Sequence, residues 1–251
     1  MITQREILRQ ARSIITQVVS LSLCDSQNFP TVQPLQGGGV QVTVKDANSL
    51  AVALKNVSYN HIYRTLEKAG AYHLKMIDGS LIQMLYTFQS DHLWSHRLAF
   101  FPSPDLESFQ TDQESYLNDD IFADMLSRPV VPFPIRFDFN SSPSVHVEVD
   151  HPKSHLTLGQ YKDCRIPVSA PLTPYDFIGF IIRNFYNTST RPFSKSLNLA
   201  GEVFAETITV SECSIPHFRL RYSHGASPLS ATRSLSIISR DRQRKYKQRR
   251  R

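Results

Sequence analysis

The chain predicts an α+β fold, a mostly antiparallel sheet packed against a buried helix at about 174–187 and an N-terminal amphipathic helix, with a disordered basic C-terminal tail. Three observations lead there. Apolar residues recur on one helical face through residues 4–23. An Asp78-Gly79 pair separates two apolar, β-branched and aromatic stretches, a hairpin signal because both turn positions tolerate positive φ. Thr173-Pro174 opens a run from Phe177 to Phe185 with almost no polar face, as a deeply buried helix requires.

Taken in order, Thr3 and Glu6 form a capping box, each satisfying a free backbone N–H at the helix start. Ile7, Leu8, Ala11, Ile14, Ile15, Val18 and Val19 then share a face. Gly37-Gly38-Gly39 marks a loop, and without a following Lys-Ser/Thr it has no phosphate-cradling role. Val40–Val44 is a short strand, and residues 58–69 form a helix stopped by Gly70. The β region spans Tyr72–Ile77, Leu81–Phe88 and His92–Phe101, closed by Pro102 and Pro104. An acidic segment leads to a helix carrying Phe122 and Met125. Phe133–Phe139 and Val145–Val149 alternate as a strand pair about the turn 140–144, and His155–Leu158 adds a further strand. Thr173 caps the buried helix, Pro174 suits its first position and Asp176 complements its positive end. Residues 197–206 read as another helix and His217–Tyr222 as a last strand. The organisation expected is one domain over 1–225 and a Ser/Arg-rich tail over 226–251.

The net charge is +6 and the pI 9.3. From Arg240 to Arg251 there are eight Lys/Arg and one Asp, +7, so the remainder of the chain sums to −1. The basic character belongs to the tail, which argues against a broad basic face for duplex nucleic acid. Arg242, Arg244, Lys245, Lys247, Arg249, Arg250 and Arg251 can neutralise phosphates without reading sequence, so the partner expected is nucleic acid, RNA rather than DNA. Cys24, Cys164 and Cys213 are odd in number and widely spaced, which indicates neither a disulfide framework nor a zinc knuckle. With no apolar run long enough for a leader or a membrane span, a cytoplasmic protein without a membrane partner is expected.

Unusual polar residues gather between Phe133 and Tyr186: Arg136, Asp138, His146, Asp150, His151, His155, Asp163, Cys164 and Arg165. Polar groups among apolar neighbours must bond to one another or be used. Metal binding by Asp150, His151 and His155 meets a geometric objection, since two strand positions four apart lie roughly 13 Å from each other unless Pro152 bends the chain. No metal or cofactor is therefore expected. His155-Leu156-Thr157-Leu158 matches the His-x-Thr-x pattern of two-histidine phosphoesterases, where alternation on a strand aims both side chains the same way. The one partner segment, His217-Phe218-Arg219-Leu220, has Arg in place of Thr. Cleavage of RNA by 2′-hydroxyl attack needs less: His155 as base, His151 as acid, and Arg165 or Arg219 as phosphate clamp. Arg136, Asp138, Thr157, His217, Arg219 and Arg221 are the accompanying substrate-binding candidates. A Cys164 nucleophile lacks any sign of an oxyanion hole.

The segments HPKSHLTLG (151–159), CRIPVSAPLTP (164–174) and FIGFIIRNFY (177–186) resemble the bacterial family DUF2290, a domain of unknown function, over about residues 1–225. Arg136-Phe137-Asp138 followed by a His-rich strand is also similar to the small TumE-type toxin proteins, a likeness carried by Arg136, Asp138, His151 and His155. It implies a toxin–antitoxin or phage-defence setting. The functional expectation is a nucleic-acid-directed protein of such a locus that cleaves RNA or another phosphodiester without metal. The alternative is a non-catalytic protein-binding subunit of a defence complex, whose partner is encoded nearby.

Overall fold

The computed structural model describes residues 2–45, 57–105, 133–161, 163–188 and 191–220. Helix α1 (Gln4–Ser20) begins where the capping residues place it, with Glu6 N donating to Thr3 Oγ1 at 3.5 Å. It stops short of residue 23 because Ser22 takes φ 57° and turns the chain into the sheet. Ile7, Ala11, Ile14, Ile15 and Val18 form its buried stripe.

The strands are β1 (Cys24–Gln27), β2 (Thr31–Pro34), β3 (Val40–Thr43), β4 (Leu74–Met76), β5 (Leu81–Gln89), β6 (His92–Phe101), β7 (Ile135–Asn140), β8 (Ser154–Leu158) and β9 (Ile166–Pro167). They make one sheet in the order β1-β4-β5-β6-β7-β8-β9, with β3 beside β5 and β2 beside β3, every pair antiparallel. Gly79, at φ 77°, makes the expected turn between β4 and β5. Ser90 and Asp91, at φ 47° and 62°, make the two-residue turn between β5 and β6.

Alternation divides the sheet into two faces. On one, Ile82, Met84, Tyr86, Phe88, Leu98, Phe100, Ile135, Phe137 and Leu156 join α1 and helix α3 (Pro174–Ile181) in the main core. α3 carries the full capping box of Thr173 and Asp176. Below Ile181 the helix widens to an i→i+5 turn over Ile182–Tyr186, with Asn187 N donating to Ile182 O at 3.0 Å. The expected helix of 174–187 is therefore two segments of different pitch. Tyr186 leaves the second segment to donate to Asp78 Oδ1 at 2.9 Å. On the opposite face, helix α2 (Tyr59–Lys68) sets Tyr63 and Leu66 against Leu81, Ala99 and Phe101, a smaller core that covers one end. Beyond α2 that outer face carries Arg97, Arg136, Asp138, His155 and Thr157.

Three expected elements do not form among the described residues. Val145–Val149 is not a strand: β7 takes β8 as its neighbour, and 141–153 is a loop whose Val147 and His151 exchange backbone bonds of 3.1 and 2.7 Å. Residues 197–206 are not helical, because their backbone is bound by the rest of the fold. Asn198 N donates to Gln17 Oε1 at 2.6 Å and Asn198 O accepts from Gln17 Nε2 at 3.2 Å. Of the expected strand His217–Tyr222, the described residues His217–Leu220 make only a single bridge, Phe218 against Val168. Chain segments that read as strands by alternation have here found other backbone partners. A short helix α4 (Val210–Cys213), capped by Thr209, and a turn of tighter helix at Phe193–Lys195 fill the C-terminal part. Contacts gather Met1–Leu220 into one compact unit. The expected helix around Phe122 and Met125, Arg221 and the tail 226–251 lie outside the described residues.

Candidate functional site: a histidine and arginine cluster on the outer face

Register alone brings the central residues together. Arg97 on β6 faces Asp138 on β7, which faces His155 on β8, while Arg136 faces Thr157. Residues directly opposite on neighbouring strands sit about 5 Å apart. Asp138 is the hub: its Oδ1 accepts from Arg97 Nε at 3.0 Å and its Oδ2 from Arg136 Nε at 2.5 Å. Its side chain is 13% exposed, whereas each arginine side chain is 39% exposed. Burial pushes the Asp138 carboxyl up, but the Arg136 and Arg97 charges and His155 outweigh it and hold the group below the usual carboxylate range.

His155 stands against the hub with Nε2 at 3.9 Å from Asp138 Oδ2. Its Nδ1 lies 3.0 Å from the Pro152 carbonyl, which can only accept, so Nδ1 carries the proton and Nε2 keeps the lone pair. Burial is the first cause that moves this imidazole below 6.5, with the neighbouring His151 and Arg136 acting the same way against the Asp138 charge.

His151 is not on β8. The chain bends at Lys153, just after Pro152, and the rings of His151 and His155 meet edge to face with centroids 5.2 Å apart. The separation of an extended chain is thus cancelled by the bend. Burial and then the Arg165 charge lower the His151 pKa. Arg165 also reaches Asp163, at 3.6 Å. Of the nine unusual polar residues, the fold therefore assembles Arg136, Asp138, His151, His155 and Arg165 in one neighbourhood.

The loop that delivers His151 is tied down twice. Asp150 N donates to Glu148 O at 2.9 Å around Val149, whose φ of 71° gives a γ-turn of the strained hand. His146 Nε2 lies 3.3 Å from Glu212 Oε1. Glu212 is buried, and its Oε2 accepts from Thr209 N at 2.9 Å at the start of α4. Hydrogen bonds from Thr209 and Ser211 hold Glu148 below its usual range.

The other candidates differ in place. Thr157 is on the outer face but buried. Arg219 pairs with Glu206 at 3.7 Å, and His217 Nδ1 donates to Ile215 O at 3.0 Å. Cys164 Sγ accepts from Leu158 N at 3.5 Å. Among the described residues no three His, Cys, Asp or Glu side chains are grouped to hold a metal, and no helix is long and apolar enough to cross a membrane. Sequence reasoning missed Arg97 and Glu212. Arg97 sits in a strand that reads only as core, and its pairing with Asp138 is a long-range register. Glu212 did have a local signal, the Thr-x-x-Glu spacing of a capping box.

A family model described as "Uncharacterized conserved protein (DUF2290)" matches residues 23–220. The chain belongs to the DUF2290 family. In this DUF2290 protein the matched span contains the whole cluster from Arg97 to Arg165, together with Glu212. Comparison with curated proteins and with solved structures gave no match. Neither comparison shows the likeness to TumE-type toxin proteins.

Proposed function

We propose that this DUF2290 protein acts on RNA, cleaving it by metal-independent transfer of the phosphodiester to the adjacent 2′-hydroxyl. The observation that carries the proposal is the His151–His155 pair, 5.2 Å between ring centroids, set beside Asp138 and three arginines. In the reaction His155 Nε2 removes the 2′-hydroxyl proton as the 2′-oxygen bonds to phosphorus. The bond from phosphorus to the 5′-oxygen breaks, and protonated His151 donates to that oxygen. The products are a 2′,3′-cyclic phosphate and a 5′-hydroxyl. Arg136, Arg97 and Arg165 supply positive charge where the phosphorane oxygens become more negative. The tail residues Arg242 to Arg251 add sequence-independent attraction for the strand. The cellular setting proposed with this activity is a bacterial toxin–antitoxin or phage-defence locus.

A second reading is a non-catalytic protein-binding subunit. The observation that favours it is that His155 is only 8% exposed and Asp138 is already bonded to two arginines. One assay separates the two. The full chain is incubated with labelled RNA in chelator, and the product ends are analysed. Cleavage leaving cyclic phosphate, absent on DNA of the same sequence and reduced about 10²–10⁴-fold in His155→Ala, supports the ribonuclease. Inert RNA, or equal rates for wild type and His155→Ala, removes it and leaves the adaptor.

A further inference from the structure

The β5–β6 ladder slips by one residue between Thr87 and Phe88: Thr87 faces Ser95, Phe88 faces Leu93, and Trp94 is the extra residue. Leu93 thus keeps the core face with buried Phe88, while Ser95 lies on the outer face with Thr87, opposite Asn140. A bulge of this kind re-aims the side chain it inserts. Trp94 comes out 37% exposed, in contrast to the buried aromatics of the same sheet. Its carbonyl accepts from Ser141 N at 2.9 Å, which ties the bulge to the end of β7. Arg97 follows three residues later on the same strand, roughly 10 Å away at about 3.3 Å per residue. Trp94 is the only tryptophan in the chain.

An exposed indole at the bulge of β6, three residues along the strand from Arg97, together with the arginine row of the outer face, has the parts of a single-strand nucleic-acid platform. Cations follow the backbone while an aromatic ring stacks on a base whose π-face is free. A duplex keeps its bases stacked on one another and cannot offer that face. We infer that Trp94 stacks on an unpaired base of a single-stranded RNA whose neighbouring phosphate lies over Arg97 and Arg136. This names the substrate class of the site proposed above and rests on that reading.

The lone tryptophan reports on itself. Full-length protein is titrated with single-stranded oligoribonucleotides and with blunt RNA duplex, following indole fluorescence together with the anisotropy of labelled RNA. Saturable quenching by single strands, with duplex several-fold weaker, is the expected result. Trp94→Leu should weaken single-strand binding about five- to a hundredfold, the span of one base–aromatic stack, while Trp94→Phe keeps most of it. An unmoved indole signal, or wild-type affinity in Trp94→Leu, overturns the inference. The two proposals fail separately. RNA that is cleaved without indole quenching removes the stacking role and leaves the nuclease. RNA that quenches but stays intact removes the nuclease and leaves the platform.

Discussion

Asp138→Asn tests the architecture of the cluster. The substitution keeps volume and removes the charge that Arg97 and Arg136 share through bonds of 3.0 and 2.5 Å. A hydrogen bond to a charged group contributes about 1.5–3 kcal/mol, and leaving a buried partner uncompensated costs about 3–5 kcal/mol. Both arginine side chains are 39% exposed, so water screens much of their loss, and a net destabilisation of about 2–3 kcal/mol is expected. For a chain of this size that is roughly 4–12 °C in Tm. The pH dependence adds a second constraint. A carboxyl whose folded pKa is depressed stabilises above its unfolded pKa and loses that contribution as pH falls through the folded value. The gap between wild type and Asp138→Asn should be full at pH 7 and close as pH falls below about 4. Thermal melts followed by circular dichroism between pH 3 and 8 measure it. Equal stability at pH 7, or a gap undiminished at pH 3, would refute the assignment of Asp138 as the ionised hub.

The imidazoles of His155 and His151 both lie below 6.5, so a base that must be neutral and an acid that must be protonated coexist best on the acid side. The kcat/KM profile for RNA should peak below pH 6.5, and a maximum above pH 7 would count against the pair. Val149→Gly relieves about 1–3 kcal/mol of turn strain and returns about 0.5–1 kcal/mol to the unfolded chain, for a gain of roughly 1 kcal/mol; a lower Tm would contradict the strain. Glu212→Ala removes the bond from Thr209 N, one half of the capping box, and the His146 anchor, and should cost about 1–2 kcal/mol in denaturant melts. It should also lower RNA cleavage if the loop places His151, and unchanged turnover would dismiss that role. Removing residues 240–251 should flatten the salt dependence of RNA binding, by about 0.7 in log–log slope for each phosphate the tail no longer neutralises. An unchanged slope would take the tail out of the interface.

What the sequence disclosed follows the range of the interactions involved. The helix starts at Thr3 and Thr173 and the Asp78-Gly79 turn are decided by neighbours a few residues apart, and they form where local chemistry places them. The strand order was not readable, since β7 could pair with 145–149 or with β8 and alternation fits both. What decides is that Ser154–Leu158 carries Leu156 to the core, while 145–149 turns on itself at Val149 and docks on α4 through His146. The site shows the same limit. His155 and Thr157 were legible as one face, but the approach of His151 depends on the bend at Lys153, and Arg97 joins only through register with Asp138. The end of α3 gave no local signal either, because its wider turn serves a hydrogen bond from Tyr186 to Asp78, far away in sequence.

The balance of charge in the cluster bears on the ribonuclease proposed above. A network that exists only to join strands is most stable when each buried charge has its counter-charge and nothing is left over. Among the described residues Arg97, Arg136 and Arg165 stand against Asp138 and Asp163, and Asp163 is itself largely exposed, so positive charge is in excess there. The two imidazoles beside it are held below 6.5, which leaves them neutral near pH 7 and able to exchange protons when an anion arrives. Both arginines of the hub show an exposed edge while Asp138 pins their Nε atoms, so their orientation is set before any ligand binds. Preset donors of this kind lose little freedom on binding a phosphate. For the proposed cleavage, cationic groups, imidazoles and fixed donors on one sheet face match what an anionic transition state would need.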